Sequence, residues 1–265
     1  MSAEQSPVLV TRQDGVATVT LNRPEAMNAL DVHTKEVLLA ALQEVAADPE
    51  VRCVVLTGTG RAFCVGQDLK EHVVLLQEDA EALWRTVAEH YNPVVELIAT
   101  MDKPVIAAVN GVAAGAGAGF AFAADLRYVA GSAGFNLAFT GIALSCDSGS
   151  SWSLPRLVGT AKAKELLFFP RTVGAEEALE LGLATEVLPD EDLAGHVAEV
   201  ARGLAAGPTL AYGSVRRAMA FSAGHALSDS LQMEEEQMAR TGTSEDHRAA
   251  VDAFLAKERP RFSGR

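Results

Sequence analysis

Short blocks of β-branched apolar residues alternate along the first half of the chain with stretches of helical apolar spacing. Val16–Leu21 (VATVTL) alternates apolar with small or polar positions and reads as a strand ending at Asn22-Arg23-Pro24. Leu30 to Val45 carries apolar residues at helical spacing, with Asp31 near its start and Asp48-Pro49 after its end. Cys53–Leu56 is a second buried strand, closed by Thr57-Gly58-Thr59-Gly60, and Ala62–Val65 is a short apolar run stopped by Gly66. A long helical pattern from Asp79 to Met101 is interrupted at Pro93. Val105–Val109 and Leu126–Ala130 read as further strands, with Asn110-Gly111 and a glycine-alanine stretch between them. Residues 131–151 read as loop or irregular strand.

From Trp152 the pattern turns helical. Leu154–Val158, Ala161–Phe169 and Ala175–Leu181 come first, then a short strand at Thr185–Leu188 and a helix over Asp190–Ala206. Three more helices follow at Pro208–Ser222, Leu227–Arg240 and Glu245–Arg259. Strands alternating with helices imply an α/β core; the last helices form an added layer. The expected division is a core over 1–205 and a helical layer over 206–265.

Charge narrows the function classes. With 22 Lys+Arg against 35 Asp+Glu the net charge is −13, which argues against nucleic acid and anionic membrane surfaces as partners. No apolar run approaches the roughly 18 residues of a membrane span, and the N-terminus has no secretory pattern. Cys53, Cys64 and Cys146 are an odd, widely spaced set, as expected of reduced thiols in a cytoplasmic protein. Cys146 beside Asp147 reads as an inert thiol rather than a nucleophile. The six histidines show no metal-ligand spacing, so no metal is expected.

Two glycine-ended strands carry the candidate chemistry. In KPVIAAVNGVAAGAGAG (103–119) a strand runs into Gly115, Gly117 and Gly119 and then an apolar helix start. That arrangement aims bare backbone N–H groups outward. The dinucleotide fingerprint fails at Phe120 and no P-loop lysine follows. In RAFCVGQDL (61–69) a strand again ends in glycine before a polar helix start at Gln67-Asp68. Two backbone donors converging on one oxygen form an oxyanion hole, where losing one donor costs roughly 3–4 kcal/mol.

RAFCVGQDL, KPVIAAVNGVAAGAG, ADLRYVA, LPRLVG, AEEALELGLATEV and LNRPEAMNAL, in register over nearly the whole chain, resemble the crotonase (enoyl-CoA hydratase/isomerase) superfamily. The resemblance implies a spiral of ββα repeats with C-terminal helices that build a homotrimer or a dimer of trimers. It implies an acyl-CoA thioester substrate, coenzyme A being part of that substrate and no separate cofactor being needed. By motif position the oxyanion donors are the amides of Gln67 and Ala116, the Gln67 side chain being incidental. Arg23 and Met27, with Ala62, Cys64, Val65, Gly66, Asp68 and Leu69, are expected at the coenzyme A pocket, and Lys257 or Arg259 at its phosphates. Trp84 and Tyr91 are expected to roof the acyl group, and Asp125 to be structural.

The departures from the family pattern bear on the reaction. The two glutamates of the hydratases would fall at positions 119 and 139, which are glycine and phenylalanine here. Asp147 is the nearby carboxylate, as in the ring-epoxide acyl-CoA isomerase branch of phenylacetate degradation. It serves either as a proton shuttle or as a cap for the helix near Ser150–Leu157. Phe139 in a glutamate's place points to an apolar or aromatic acyl group. Three readings follow: an isomerase using Asp147, a hydratase using Asp147 with water, or an inactive acyl-CoA binder.

Overall fold

The computed structural model describes residues 6–265. Its strands are β1 (Val8–Gln13), β2 (Val16–Leu21), β3 (Cys53–Gly58), β4 (Ala62–Cys64), β5 (Val105–Val109), β6 (Val112–Ala114), β7 (Leu126–Ala130), β8 (Gly134–Asn136), β9 (Thr172–Gly174) and β10 (Glu186–Leu188). Its helices are α1 (Val32–Ala47), α2 (Leu69–Glu78), α3 (Ala80–Thr86), α4 (Asn92–Thr100), α5 (Ala116–Ala123), α6 (Ser150–Val158), α7 (Thr160–Phe168), α8 (Ala175–Glu180), α9 (Leu193–Ala205), α10 (Thr209–Ser222), α11 (Leu227–Gly242) and α12 (Glu245–Ala256).

Among the described residues the strands form two sheets, ordered β1-β2-β3-β5-β7-β10 and β4-β6-β8-β9. The pairs β2·β3, β3·β5, β5·β7 and β7·β10 are parallel, which explains why β5 is apolar and buried at all five positions. The edge strand β1 pairs antiparallel with β2 through Asp14-Gly15, both with positive φ (52° and 77°), the two-residue turn that fits a twisted hairpin. The sequence reading passed over this strand because VLVTRQ buries only Val8. It also passed over β9, which is three residues long.

The helix start expected at Gln67-Asp68 is that of α2, and the segment read as one helix from Asp79 to Met101 is divided into α3, a π-helical turn and α4. Asp68 caps α2, accepting the N–H of Lys70 at 3.0 Å and of Glu71 at 3.4 Å. A π-helical turn, Val87–Tyr91, joins α3 to α4. Pro93 lies at the start of α4, directly after that π-helical turn.

The last helices are tied back by two arginines. Arg216 of α10 donates to Ile98 O (2.6 Å), Lys103 O (2.9 Å) and Met101 O, and pairs with Asp125 Oδ1 at 2.8 Å. Asp125 also accepts the Val105 N–H at 2.7 Å, a structural position. Arg52 reaches across the fold to Thr209 Oγ1 (2.9 Å), Gly207 O (2.5 Å) and Phe262 O (3.0 Å). Outward from this layer Met219, Met238, Phe254 and Leu255 are each more than 70% exposed in the single chain. No helix of the described residues is long and apolar enough to cross a membrane.

Candidate active site

The parallel pairing of β4 with β6 sets Cys64 opposite Ala113, so the glycine turns that follow the two strands lie side by side. Gly66 has φ 82°, and a Cβ on it would stand 2.9 Å from Ala114 O and 3.3 Å from Ala116 N. Only glycine allows both that φ and that approach. Residue 67 is gripped on either side by Leu30, whose N–H donates to Gly66 O (2.8 Å) and whose carbonyl accepts Asp68 N–H (3.1 Å). Among the described residues no backbone carbonyl takes the N–H of Gln67 or of Ala116. Ala116 opens α5, where the helix dipole adds positive potential. Two free donors at adjoining turns suit a single oxygen that gains negative charge.

A cavity of about 670 Å³ opens onto these turns. Of the residues singled out from sequence it brings together Arg23, Met27, Val65, Gly66, Gln67, Asp68, Leu69, Ala116 and Asp147, with Tyr91 and Phe139. Five others, Ala62, Cys64, Trp84, Lys257 and Arg259, lie elsewhere. Ala62 is buried beneath the turn, its carbonyl accepting from Asn28 (2.8 Å) and Asn110 (3.2 Å). Cys64 is sealed in the core, where burial pushes its thiol up to about 12. Lys257 follows α12 in a left-handed cap and is exposed, away from the cavity. Trp84 stands one layer back, edge-on to the cavity residue His72 with ring centroids 6.0 Å apart. The lining cations are Arg23, Arg61 and Lys70. Arg23 bridges Asp31 and Asp68 at 3.1 Å each.

Asp147 is held by the turn into α6. Ser148 (φ 50°) and Gly149 (φ 71°) are both left-handed, and Gly149, not Asp147, occupies the N-cap, with no side-chain cap bond. The cap expected of Asp147 is therefore absent. Its Oδ1 accepts the Ser148 hydroxyl at 2.8 Å. Burial raises the Asp147 carboxyl above the usual range, partly offset by that hydroxyl and by the charge of Lys35. Among the lining acids, Asp68 is engaged by Arg23 and the α2 cap and Glu25 is exposed. Asp147 is the one whose environment suits proton transfer.

Residues 11–265 match the family model described as enoyl-CoA hydratase/isomerase. The chain belongs to the enoyl-CoA hydratase/isomerase family. It is 41% identical over 253 residues to the 1,2-epoxyphenylacetyl-CoA isomerase of Escherichia coli (strain K12), covering 96% of this chain and 97% of that protein. It is 43% identical over 252 residues to a probable enoyl-CoA hydratase of Rhodobacter capsulatus, covering 95% and 96%. The crystal structure of an enoyl-CoA hydratase from Bacillus anthracis superposes with a TM-score of 0.91 at 31% identity, covering 98% of this chain and 100% of that one. The two-sheet α/β architecture is thus the crotonase-like fold.

Against the enoyl-CoA hydratase/isomerase pattern, the two glutamate positions are filled by packing. A Cβ on Gly119 would lie 2.4 Å from Ser148 O and 2.6 Å from Ser148 Cβ. The turn that carries Asp147 thus takes up the space a glutamate would need. Phe139 is buried and lines the cavity beside Gly115.

The Gln67 side chain is not incidental. Its Oε1 accepts from Lys35 Nζ (2.9 Å) and Tyr91 OH (2.5 Å), and its Nε2 donates to Glu71 Oε1 (3.2 Å). Sequence reasoning missed Lys35 and Glu71. The signal was present in α1, where Lys35 occupies the same buried stripe as Leu38, Leu42 and Val45.

Proposed function

We propose that this protein isomerises an acyl-CoA thioester through an enolate. In this reading the N–H groups of Gln67 and Ala116 hold the thioester oxygen, and Asp147 carries the proton. Its carboxylate takes a proton from the carbon next to the thioester carbonyl. The C–H electron pair moves toward the carbonyl, whose oxygen becomes the oxyanion. Asp147, now the neutral acid, returns the proton to another carbon of the same system, and no atom is gained or lost. The observation that carries this reading is one raised carboxylate beside two unpaired backbone donors, with both glutamate positions closed.

Tyr91, Phe139, Ile142 and Leu144 give the cavity an apolar wall, which favours an apolar or aromatic acyl group whose double bond or ring epoxide lies next to the enolate. The name of the E. coli relative agrees with the epoxide form of that substrate. A hydratase reading, with Asp147 activating water, draws its support from the R. capsulatus relative's name. Arg61 and Lys70, rather than Lys257, would meet the coenzyme A phosphates from the same chain.

The exposed apolar residues of α10–α12 support a homotrimer or a dimer of trimers, with residues 206–265 as the assembling layer on a core over 1–205. Light scattering on the purified protein measures this directly. Its three free thiols favour the cytoplasm.

Thioester absorbance separates the chemical readings. A 3-enoyl-CoA gains conjugation on isomerisation, whereas a 2-enoyl-CoA loses it on hydration. Asp147→Asn is expected to lower the isomerisation kcat by at least about 10²-fold while acyl-CoA binding persists. Unaltered turnover in that variant would sink the shuttle.

A further inference from the structure

We infer that Lys35 is a positioning residue: from beneath the oxyanion turn its ammonium fixes Gln67 and sets the charge balance that Asp147 experiences. The inference rests on the enolate reading above and concerns a residue outside the cavity lining. Lys35 is only 2% exposed, a rare state for a lysine and a costly one unless the charge is answered. It projects from the buried stripe of α1 to three partners on three separate segments. Gln67 Oε1 lies at 2.9 Å, Thr86 Oγ1 at 2.9 Å and Glu71 Oε1 at 3.6 Å, with the Tyr91 ring centroid 5.4 Å away.

These contacts determine what Gln67 can do. The side-chain carbonyl is held by Lys35 and Tyr91 and the side-chain amide by Glu71, while Leu30 grips the backbone on both sides. The peptide N–H of residue 67 is thereby preorganised, which is what an oxyanion donor needs. A merely structural lysine would be satisfied by Thr86 and Glu71 alone; the bond to Gln67 ties it to the site.

Charge supports the same conclusion. The groups around Lys35 are Glu71 from α2, Asp31 at the head of α1, Asp68 before α2, and Tyr91 with Thr86 and His90 from the π-turn segment. Asp147 interacts with it from the turn before α6. Arg23 is engaged with Asp31 and Asp68, and the charge of Lys35 acts against the rise that burial gives the Asp147 carboxyl. When a proton moves to Asp147, negative charge leaves that carboxylate and develops beside Gln67. A cation bonded to one and interacting with the other acts on both ends of that transfer.

Lys35→Met and Lys35→Arg test this in the full-length protein with two probes. The first is a 3-enoyl-CoA, followed as kcat and KM against pH. The second is acetoacetyl-CoA, whose bound enolate has its own absorbance band. Lys35→Met is expected to lower kcat about tenfold, less than the 10²–10³ of losing an oxyanion donor outright, with KM within about twofold. The acid limb of kcat moves to higher pH and the bound enolate band weakens; Lys35→Arg restores the limb. Should Lys35→Met fail to fold, Glu71→Gln removes the opposing negative charge, and the acid limb then moves to lower pH. A folded Lys35→Met with wild-type kcat, acid limb and enolate band overturns the proposal, as does an unmoved limb in Glu71→Gln. Wild-type protein that forms the enolate band but isomerises nothing overturns the isomerase reading instead. The role of Lys35 is then read from the band alone.

Discussion

The contact between Gly119 and the Asp147-Ser148 turn allows a one-methyl test of how closely the carboxylate must be placed. A Cβ on residue 119 would meet Ser148 O at 2.4 Å, Ser148 Cβ at 2.6 Å and Ser148 C at 3.2 Å, whereas ordinary contact begins at 3.4 Å. None of these atoms ends a flexible side chain, so relief requires that α5 or the turn move by about 1 Å, an overpacking that costs about 1–3 kcal/mol. Displacing a reacting group by that much costs on the order of 10²-fold in rate. Gly119→Ala is therefore expected to lose about 10²-fold in isomerisation kcat and a few degrees in Tm, with KM little changed. Initial rates by thioester absorbance and a thermal scan measure both. A folded Gly119→Ala with wild-type kcat would refute the argument that this packing places Asp147. By the same geometry Gly119→Glu does not create a hydratase, because the longer side chain meets the same backbone.

Gly66→Ala puts a methyl against Ala114 O and Ala116 N at a φ of 82°, and is expected to cost about 10²–10³ in kcat with acyl-CoA binding by calorimetry retained. Asp147→Asn should raise Tm at neutral pH by a few degrees. The folded state raises this carboxyl, so its contribution to stability is present at low pH and lost as pH rises through the folded value. The advantage of asparagine must therefore vanish in acid, and an equal gain at every pH would contradict it. Arg216→Ala leaves Asp125 and three carbonyls without their donor and should cost about 3 kcal/mol, seen as a Tm lowered by roughly 6–12 °C and faster hydrogen exchange in α10.

Much of the site was legible because it is made of backbone. Glycine turns after short apolar strands have few alternatives, so the turns at Gly66 and at Gly115–Gly119 could be read from residue type and order, whereas Gln67 and Ala116 themselves were singled out through the family resemblance. Side chains that act across distance were harder. Lys35 looks like one more helix charge until its position in the apolar stripe is noticed, and its partners Gln67, Thr86 and Tyr91 come from remote segments. The hairpin strand β1 was hidden because an edge strand buries little, although Asp14-Gly15 marked its turn. The π-turn at Val87–Tyr91 has no local sequence mark. It ends at Tyr91, whose hydroxyl donates to Gln67 Oε1. Ala62 and Cys64 were assigned to the pocket through a shared motif, but all three residues of β4 are buried, and the lining comes from Arg61 and Val65 on either side of the strand. Lys257 or Arg259 was placed through the resemblance as a basic residue near the C-terminus, which carries no information about where the end of α12 will lie.

The three bonds from Arg52 also bear on the order in which the fold closes. Arg52 precedes β3, which is parallel to β2, yet its acceptors belong to residues 207, 209 and 262. At a synthesis rate of about 5–20 residues per second, the first strands are complete roughly ten seconds or more before the last acceptor exists. Gly207 and Thr209 are made before Phe262, so the C-terminal layer gains its ties to Arg52 in two stages. The final bond joins residues 210 positions apart, so a nascent chain can build its sheet from the N-terminal end but can form this bond only once residue 262 has been made.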